Sequence, residues 1–157
     1  MTETNGFGPT VKAFRAKVGF TAQAVRAQDS AQTETLNLEL AEKTGSGYDW
    51  ENKITVQVSR VELPRFCAVV LGLIRQTEGK YHGDSKNKSW HLMWPPGGDS
   101  GLALKLSDAG LYRNINFNAD EVFWLGSLAV DQLGKNTGAA TQSDTLNILR
   151  LSFRAMA

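Results

Sequence analysis

Apolar and polar residues alternate along the first part of the chain, which is the pattern of a half-buried β-strand. Within residues 11–24, Phe14 and Phe20 fall on one side of such a strand, and Arg15 and Lys17 fall on the other. We therefore expect one long strand here, with an apolar face toward a core and a basic face toward solvent.

Two further alternating segments, at 36–40 and 54–58, are separated by the glycine turn that opens the stretch GSGYDWENK at 45–53. The spacing then changes, because apolar residues recur at helical intervals and Ser59 and Glu62 have the spacing of a capping box. These features predict two more strands and a helix that runs to about Gln76.

The second half of the chain repeats this order. Alternating segments at 90–94 and 102–106 flank the turn PPGGDSG, and a further strand is expected at 111–117. An apolar helical stripe at 122–133 follows and is expected to end at Gly134. The chain is thus predicted to be α+β, with two antiparallel sheets packed against each other and two helices.

The predicted elements divide the chain into three parts. Residues 1–10 form a polar tail, 11–134 a single domain, and 135–157 a C-terminal extension. The segment LNILRLSF within this extension fits a helix or an edge strand equally well.

Composition narrows the class of protein. The 157 residues are 41% hydrophobic and 21% charged, as in a globular domain, and no apolar run is long enough to cross a bilayer. The N-terminal residues MTETNGFGPT lack the pattern of a secretory or transit segment, so we expect a cytoplasmic protein without a membrane partner.

Cysteine and histidine content argues against metal or disulfide chemistry. Cys67 is the single cysteine and lies in an apolar run, which predicts a buried thiol. With only His82 and His91 beside it, the chain cannot form a closed zinc site of the usual kind, and we expect no metal and no cofactor.

Enzyme signatures are also weak. The segment GGDSGL has the sequence context of some serine proteases, but Ser100 lies in a turn signal rich in proline and glycine, and no phosphate-binding loop or dinucleotide fingerprint is present. We therefore expect no catalytic residues.

The net charge of +1 is small, but basic and acidic residues are unevenly distributed along the chain. Residues 11–28 carry four basic residues and no acid, and Lys80, Lys86 and Lys88 surround the single Asp84. Such segregation predicts a basic surface that could meet a polyanion, although a solvated surface without a ligand has the same pattern.

The segment YDWENK at 48–53, followed by an alternating strand and then by Ser59 and Glu62, resembles the plant Whirly family of single-stranded DNA-binding proteins. In the same order, YHGD at 81–84, GGDSGLALKL at 97–106 and YRNINFNADEVFWLGSLA at 112–129 are similar to further elements of that family. The similarity covers residues 11–134.

The resemblance implies two four-stranded antiparallel sheets packed like blades, assembly into a cyclic homotetramer, and binding of single strands with little sequence preference. Related architectures occur in trypanosomatid mitochondrial RNA-binding proteins. By resemblance, the chain would act in DNA replication, recombination or repair, and a nucleoid-associated or a phage- or plasmid-encoded protein fits this expectation.

Sequence-tolerant binding of single strands needs cations along the phosphates and flat rings on which bases stack. The candidate phosphate contacts are Lys12, Arg15, Lys17, Lys53, Lys86 and Lys88. The candidate stacking residues are Tyr48, Trp50, Tyr81 and Trp90.

Several of these residues have a second interpretation. Tyr48 and Trp50 fit packing at a sheet or subunit edge as well as stacking, and Trp90 fits either a core or a stacking position. Trp94 fits a core position better, and Phe123 and Trp124 fit a core or an oligomer interface. The alternative functions are an RNA-binding or strand-annealing protein on the same architecture, and a structural oligomer that binds no nucleic acid.

Overall fold

The computed structural model describes residues 8–97 and 100–154 of the chain. The predicted class is confirmed, because two antiparallel sheets pack against each other and helices complete the fold. Most of the predicted tail and the Gly98–Asp99 part of the predicted turn lie outside the described residues.

The first sheet contains five strands, of which one is very short. In chain order they are β1 (Thr10–Phe14), β2 (Val18–Arg26), β3 (Glu34–Thr44), β4 (Gly47–Tyr48) and β5 (Ile54–Gln57). The order in the sheet is β1-β2-β3-β4, and β5 also pairs with β3. Every pairing is antiparallel: β1 to β4 follow one another as hairpins, and β5 returns to pair with β3.

The single strand predicted over 11–24 is wrong, since a tight turn at Arg15–Lys17 divides it into β1 and β2. The N–H of Arg15 donates to the carbonyl of Val18 at 2.8 Å to close this turn. Because the turn reverses the chain, Ala13 faces the core opposite Phe20, and Phe14 points outward with 51% of its surface exposed.

The second sheet contains β6 (Gln76–His82), β7 (Lys88–Met93), β8 (Leu102–Asp108) and β9 (Leu111–Phe117), in the order β6-β7-β8-β9. It is an antiparallel meander, because each strand pairs with the next one along the chain.

Three helices complete the fold, one more than the two predicted: α1 (Leu63–Val70), α2 (Ala119–Thr137) and α3 (Gln142–Phe153). The first helix is shorter than predicted, because the chain turns at Gly72, where φ is +75°, before β6 begins. A capping box of Asn118 and Glu121 begins α2, which ends one turn beyond the predicted Gly134. The segment LNILRLSF is helical and contributes the buried Leu149.

One continuous core lies between the sheets and under the helices. Phe20 of the first sheet meets Phe117 of the second edge to face, with ring centroids 4.8 Å apart. Cys67 is fully buried in α1, as predicted, and its burial raises the pKa of the thiol. Among the described helices, none is long and apolar enough to span a membrane.

Candidate nucleic-acid interface

The surface of the first sheet that points away from the core is hereafter the outer face. Residues directly opposite each other on antiparallel strands share a face, so the pairing register defines rows across it. The aromatic row contains Phe14, Gly19 and Ala41. The central row contains Lys12, Thr21, Glu39 and Thr55. The carboxamide row contains Thr10, Gln23, Asn37 and Gln57.

Three aromatic rings gather at one end of the outer face. Phe14 lies 5.2 Å from Tyr48, and Tyr48 lies 6.2 Å from Trp50, measured between ring centroids. We call Phe14, Tyr48 and Trp50 the aromatic cluster. Tyr48 and Trp50 are half-buried and Phe14 is 51% exposed, so the cluster combines packing against the sheet with access to solvent.

Gly19 forms the floor of the aromatic cluster. A Cβ atom at this position would lie 3.0 Å from the Tyr48 ring and 3.3 Å from the Trp50 ring, closer than side chains normally approach. Ala41, directly opposite Gly19, is fully buried although it belongs to the outer face. The absence of a side chain at Gly19 therefore lets the Tyr48 and Trp50 rings approach the strand closely.

Hydrogen bonds hold the aromatic cluster in place. The Tyr48 hydroxyl donates to the carbonyl of Arg15 at 2.8 Å, and the N–H of Asp49 donates to the carbonyl of Glu42 at 2.8 Å. Arg113 of β9 donates to the carbonyl of Asn52 at 2.9 Å, which anchors the short 3₁₀ turn at Trp50–Asn52. The rings are thus positioned before any ligand arrives.

Three lysines neighbour residues of the aromatic cluster, along the chain or across the β3–β4 pair. Lys12 on β1 and Lys17 in the adjoining turn are exposed, as the predicted phosphate contacts must be. The ammonium of Lys43 lies 4.8 Å from the centroid of the Tyr48 ring, a cation–π contact. Lys43 is not among the predicted site residues. The glycine turn in the sequence is the signal that could have identified it, because this turn forms the β3–β4 hairpin in which Lys43 pairs with Tyr48.

Arg15 is not a free cation, which corrects its predicted role. Its guanidinium makes a double ion pair with Glu121 at the start of α2 and donates to the carbonyl of Asn116 at 2.9 Å. The hydrogen bond to Glu121 raises the pKa of Arg15. Burial alone would raise the pKa of Glu121. The hydrogen bonds from Arg15 and Asn118 and the charge of Arg15 outweigh burial, so the pKa of Glu121 is lowered. The pair is charged at neutral pH, and Arg15 holds the β1–β2 turn against α2.

Lys53, another predicted phosphate contact, is also paired with an acid. Its ammonium binds Glu39 in the middle of the outer face. The Glu39 carboxylate accepts two further hydrogen bonds, from the hydroxyl of Thr21 at 2.9 Å and from that of Thr55 at 3.2 Å. The centre of the face therefore carries a neutralised acid rather than an unbroken basic track.

Trp90 is a core residue, so its prediction as a stacking residue is wrong. It is only 1% exposed, and its indole N–H donates to Glu62 at 3.1 Å. Trp90 shares its side of β7 with Leu92, and this side faces the core. Trp94, the next residue on that side, is half-buried against the core and donates to the carbonyl of Val69 at 2.6 Å.

The remaining predicted residues lie on the β6–β7 hairpin, apart from the aromatic cluster. Tyr81 is 77% exposed and Lys86 is exposed, whereas the half-buried Lys88 donates to the carbonyl of Thr55 at 3.3 Å. That bond places the hairpin beside β5, which is three strand spacings, or about 14 Å, from β1. Tyr81, Lys86 and Lys88 thus border the opposite edge of the sheet.

A second cation–π contact lies on the exposed side of the second sheet. Its residues are also not among the predicted site residues. The ammonium of Lys105 lies 4.6 Å from the centroid of the Tyr112 ring, which is 58% exposed. Only one lysine and one ring take part in this contact, so it supplies a reference surface for experiments on the first sheet.

Both histidines have partners away from Ser100. His82 bonds to Glu62 at 2.9 Å and His91 to Gln76 at 3.0 Å. Within the described ranges, no three potential metal ligands converge.

Comparison with known protein families finds no match to this chain, and comparison with curated proteins finds none.

Proposed function

We propose that the chain is a non-catalytic, cytoplasmic protein that binds single-stranded DNA with little sequence preference through the outer face of the first sheet. In this role it protects or presents unpaired strands during replication, recombination or repair. The similarity of its motifs to the Whirly family supports the proposal, and the RNA-binding alternative shares the same architecture.

The observation that carries this proposal is the aromatic cluster with its neighbouring lysines. Bases of an unpaired strand stack on aromatic rings whatever their identity, and each stack contributes about 1–3 kcal/mol. The cluster offers three rings within reach of one another, and the exposed Lys12 and Lys17 lie beside them. Stacking and phosphate neutralisation can therefore occur together at this end of the sheet.

The position of Glu39 sets the orientation of the strand. The Glu39 carboxylate is paired with Lys53, so the middle of the face holds a charge pair rather than a free cation, whereas exposed cations lie toward the edges, at Lys12, Lys17 and Lys86. The phosphates therefore follow the cations at the edges of the face, and the bases point inward. The same orientation brings bases onto the aromatic cluster.

We also propose that the chain is a homo-oligomer, a tetramer by its resemblance to the Whirly family. Phe123 and Trp124 on α2 are each 62% exposed, and their rings meet edge to face at 5.1 Å. Leu71 at the end of α1 lines the same groove as Phe123. Contiguous apolar surface of this kind is typical of subunit contacts, and a second copy of the chain would cover it.

Salt dependence tests the proposed function. Affinity for oligo-dT should fall with salt, with a log-log slope of about 0.7 for each phosphate neutralised. The double variant Lys12→Gln, Lys17→Gln should reduce that slope by about 1.4, and Lys105→Gln, on the second sheet, should leave it unchanged. Absent binding, or a slope that responds only to Lys105→Gln, would contradict the proposed interface.

The same titration decides between DNA and RNA, because matched oligonucleotides differ chiefly at the 2′-hydroxyl. Light scattering on these samples should give a multiple of the 17.2 kDa chain mass. A mass of one chain would remove the oligomer from the proposal without affecting the binding face.

A further inference from the structure

Arg113 is a charged residue at a core position of β9. It shares its side of the strand with the buried Ile115 and Phe117, and it lies opposite the buried Leu106 of β8. Only 9% of its side chain is exposed. The guanidinium therefore enters the space between the two sheets instead of reaching into solvent.

Within this space the guanidinium contacts the first sheet and the turn that carries Trp50. Its Nη1 donates to the carbonyl of Asn52 at 2.9 Å and to that of Leu40 at 3.4 Å. Its Nε lies 3.6 Å from a carboxylate oxygen of Glu42, yet this buried atom donates no hydrogen bond to any residue that the structure describes. A buried donor without an acceptor destabilises a fold, so stability alone does not explain an arginine here.

The partners of Arg113 do not depend on it for the fold. Glu42 is 61% exposed and Asn52 is also exposed, so water can replace the guanidinium at both residues. The bond to the Leu40 carbonyl is long and therefore weak. An apolar side chain of similar volume at a buried ionic position is often neutral for stability, so we expect the fold to tolerate methionine at this position.

The turn that carries Trp50 depends more strongly on Arg113. This 3₁₀ turn, Trp50–Asn52, contains no buried residue. The N–H of Asp49 attaches its start to the carbonyl of Glu42, and Arg113 attaches its end through the carbonyl of Asn52. The Asn52 side chain bonds back to Asp49, within the same segment, and adds no attachment to a sheet. Loss of Arg113 would release one end of the turn.

We propose that Arg113 is a positioning residue of the nucleic-acid interface, which holds the Trp50 ring ready for stacking and serves binding more than folding. This inference rests on the proposed function. A ring that is already held loses less conformational freedom when a base stacks on it, so the complex is tighter. Arg113 thus supports the outer face of the first sheet from a strand of the second sheet, without contacting the ligand.

The test is a double-mutant cycle between Arg113→Met and Trp50→Ala. Arg113→Met alone should weaken oligo-dT binding about fivefold, the lower end of what one base stack contributes. In the Trp50→Ala background the same substitution should change affinity by less than about twofold, because the ring that Arg113 positions is gone. Fluorescence anisotropy of a labelled oligonucleotide measures all four affinities.

Two further measurements separate positioning from charge and from folding. The salt slope of Arg113→Met should equal that of the unchanged protein, since a positioning residue neutralises no phosphate. Its unfolding midpoint should also stay close to that of the unchanged protein. Arg75→Met, which removes the same charge from an exposed position before β6, should leave oligo-dT affinity unchanged.

Unchanged affinity of Arg113→Met would overturn the proposal, and so would an equal loss in both Trp50 backgrounds, because Arg113 would then act independently of the ring. A salt slope lower by about 0.7 would make Arg113 a phosphate contact instead. A midpoint lower by about 10 °C or more would make its role structural. Each of these results leaves the proposed function standing, whereas failure of the unchanged protein to bind oligo-dT would remove both.

Discussion

Replacement of Trp90 by alanine should lower the free energy of unfolding by about 3–5 kcal/mol. The indole is fully enclosed, packs edge to face on Phe66 at 5.4 Å between centroids, and donates its N–H to Glu62. Its removal leaves a cavity and an acceptor without its donor, which destabilise the fold in the same direction. Thermal unfolding followed by circular dichroism should show a midpoint lower by roughly 10 °C.

The control for this experiment is Tyr112→Ala, since Tyr112 is 58% exposed on the second sheet. An exposed ring contributes little to stability, so the midpoint should change by much less. The Trp90 variant could instead be as stable as the unchanged protein and fail to bind oligo-dT. That result would contradict the place of Trp90 in the core and would indicate that it stacks on bases.

Replacement of Trp50 by alanine should weaken oligo-dT binding by about 5-fold to 150-fold, the equivalent of one lost base stack. Trp50 lies in the aromatic cluster, where Tyr48 on one side and Gly19 beneath hold its ring in place. Fluorescence anisotropy of a labelled oligonucleotide measures the change. The fold should persist, because Trp50 is only half-buried.

Tyr112→Ala serves again as the control variant, because it removes an exposed ring from the second sheet rather than from the outer face of the first. Its affinity for oligo-dT should remain that of the unchanged protein. Reduced binding by Tyr112→Ala together with full binding by Trp50→Ala would move the interface from the first sheet to the second.

The alternation of apolar residues predicts which side chains share a face, but not which face is turned inward. On β7 the spacing correctly places Trp90 and Leu92 on one side. Whether that side meets solvent or the other sheet depends on contacts from α1 and β8, which are distant in sequence. In the sequence, the nearby Lys88 makes Trp90 a candidate for base stacking. In the structure, its tertiary contacts place it in the core.

The turn at Arg15–Lys17 shows a different limit. It contains no glycine or proline, so the alternation of 11–24 continues through it without interruption. The turn is closed by a backbone hydrogen bond and held by Arg15 on Glu121, a residue of a helix more than a hundred positions later. A long-range ion pair of this kind leaves no local pattern.

Part of the aromatic cluster can be predicted from the sequence. The glycine turn and the aromatic residues of YDWENK predict Tyr48 and Trp50 at an exposed connection, and the structure makes them half-buried as well as accessible. Phe14 joins these two rings only because the turn before β2 places it on the outer face of β1. Lys43 contacts the Tyr48 ring only because the β3–β4 register places the two residues opposite each other. Register between strands, rather than residue type, decides the membership of this cluster.

The central claim is that single-stranded nucleic acid lies on the outer face of the first sheet, and chemical-shift mapping by NMR tests it most directly. On addition of oligo-dT, the amide signals of β1, β2 and the segment around Tyr48 and Trp50 should shift, and those of Lys105 and Tyr112 should not. Shifts centred on the second sheet, or signals of the first sheet that stay unmoved while the oligonucleotide is bound, would contradict the proposed interface.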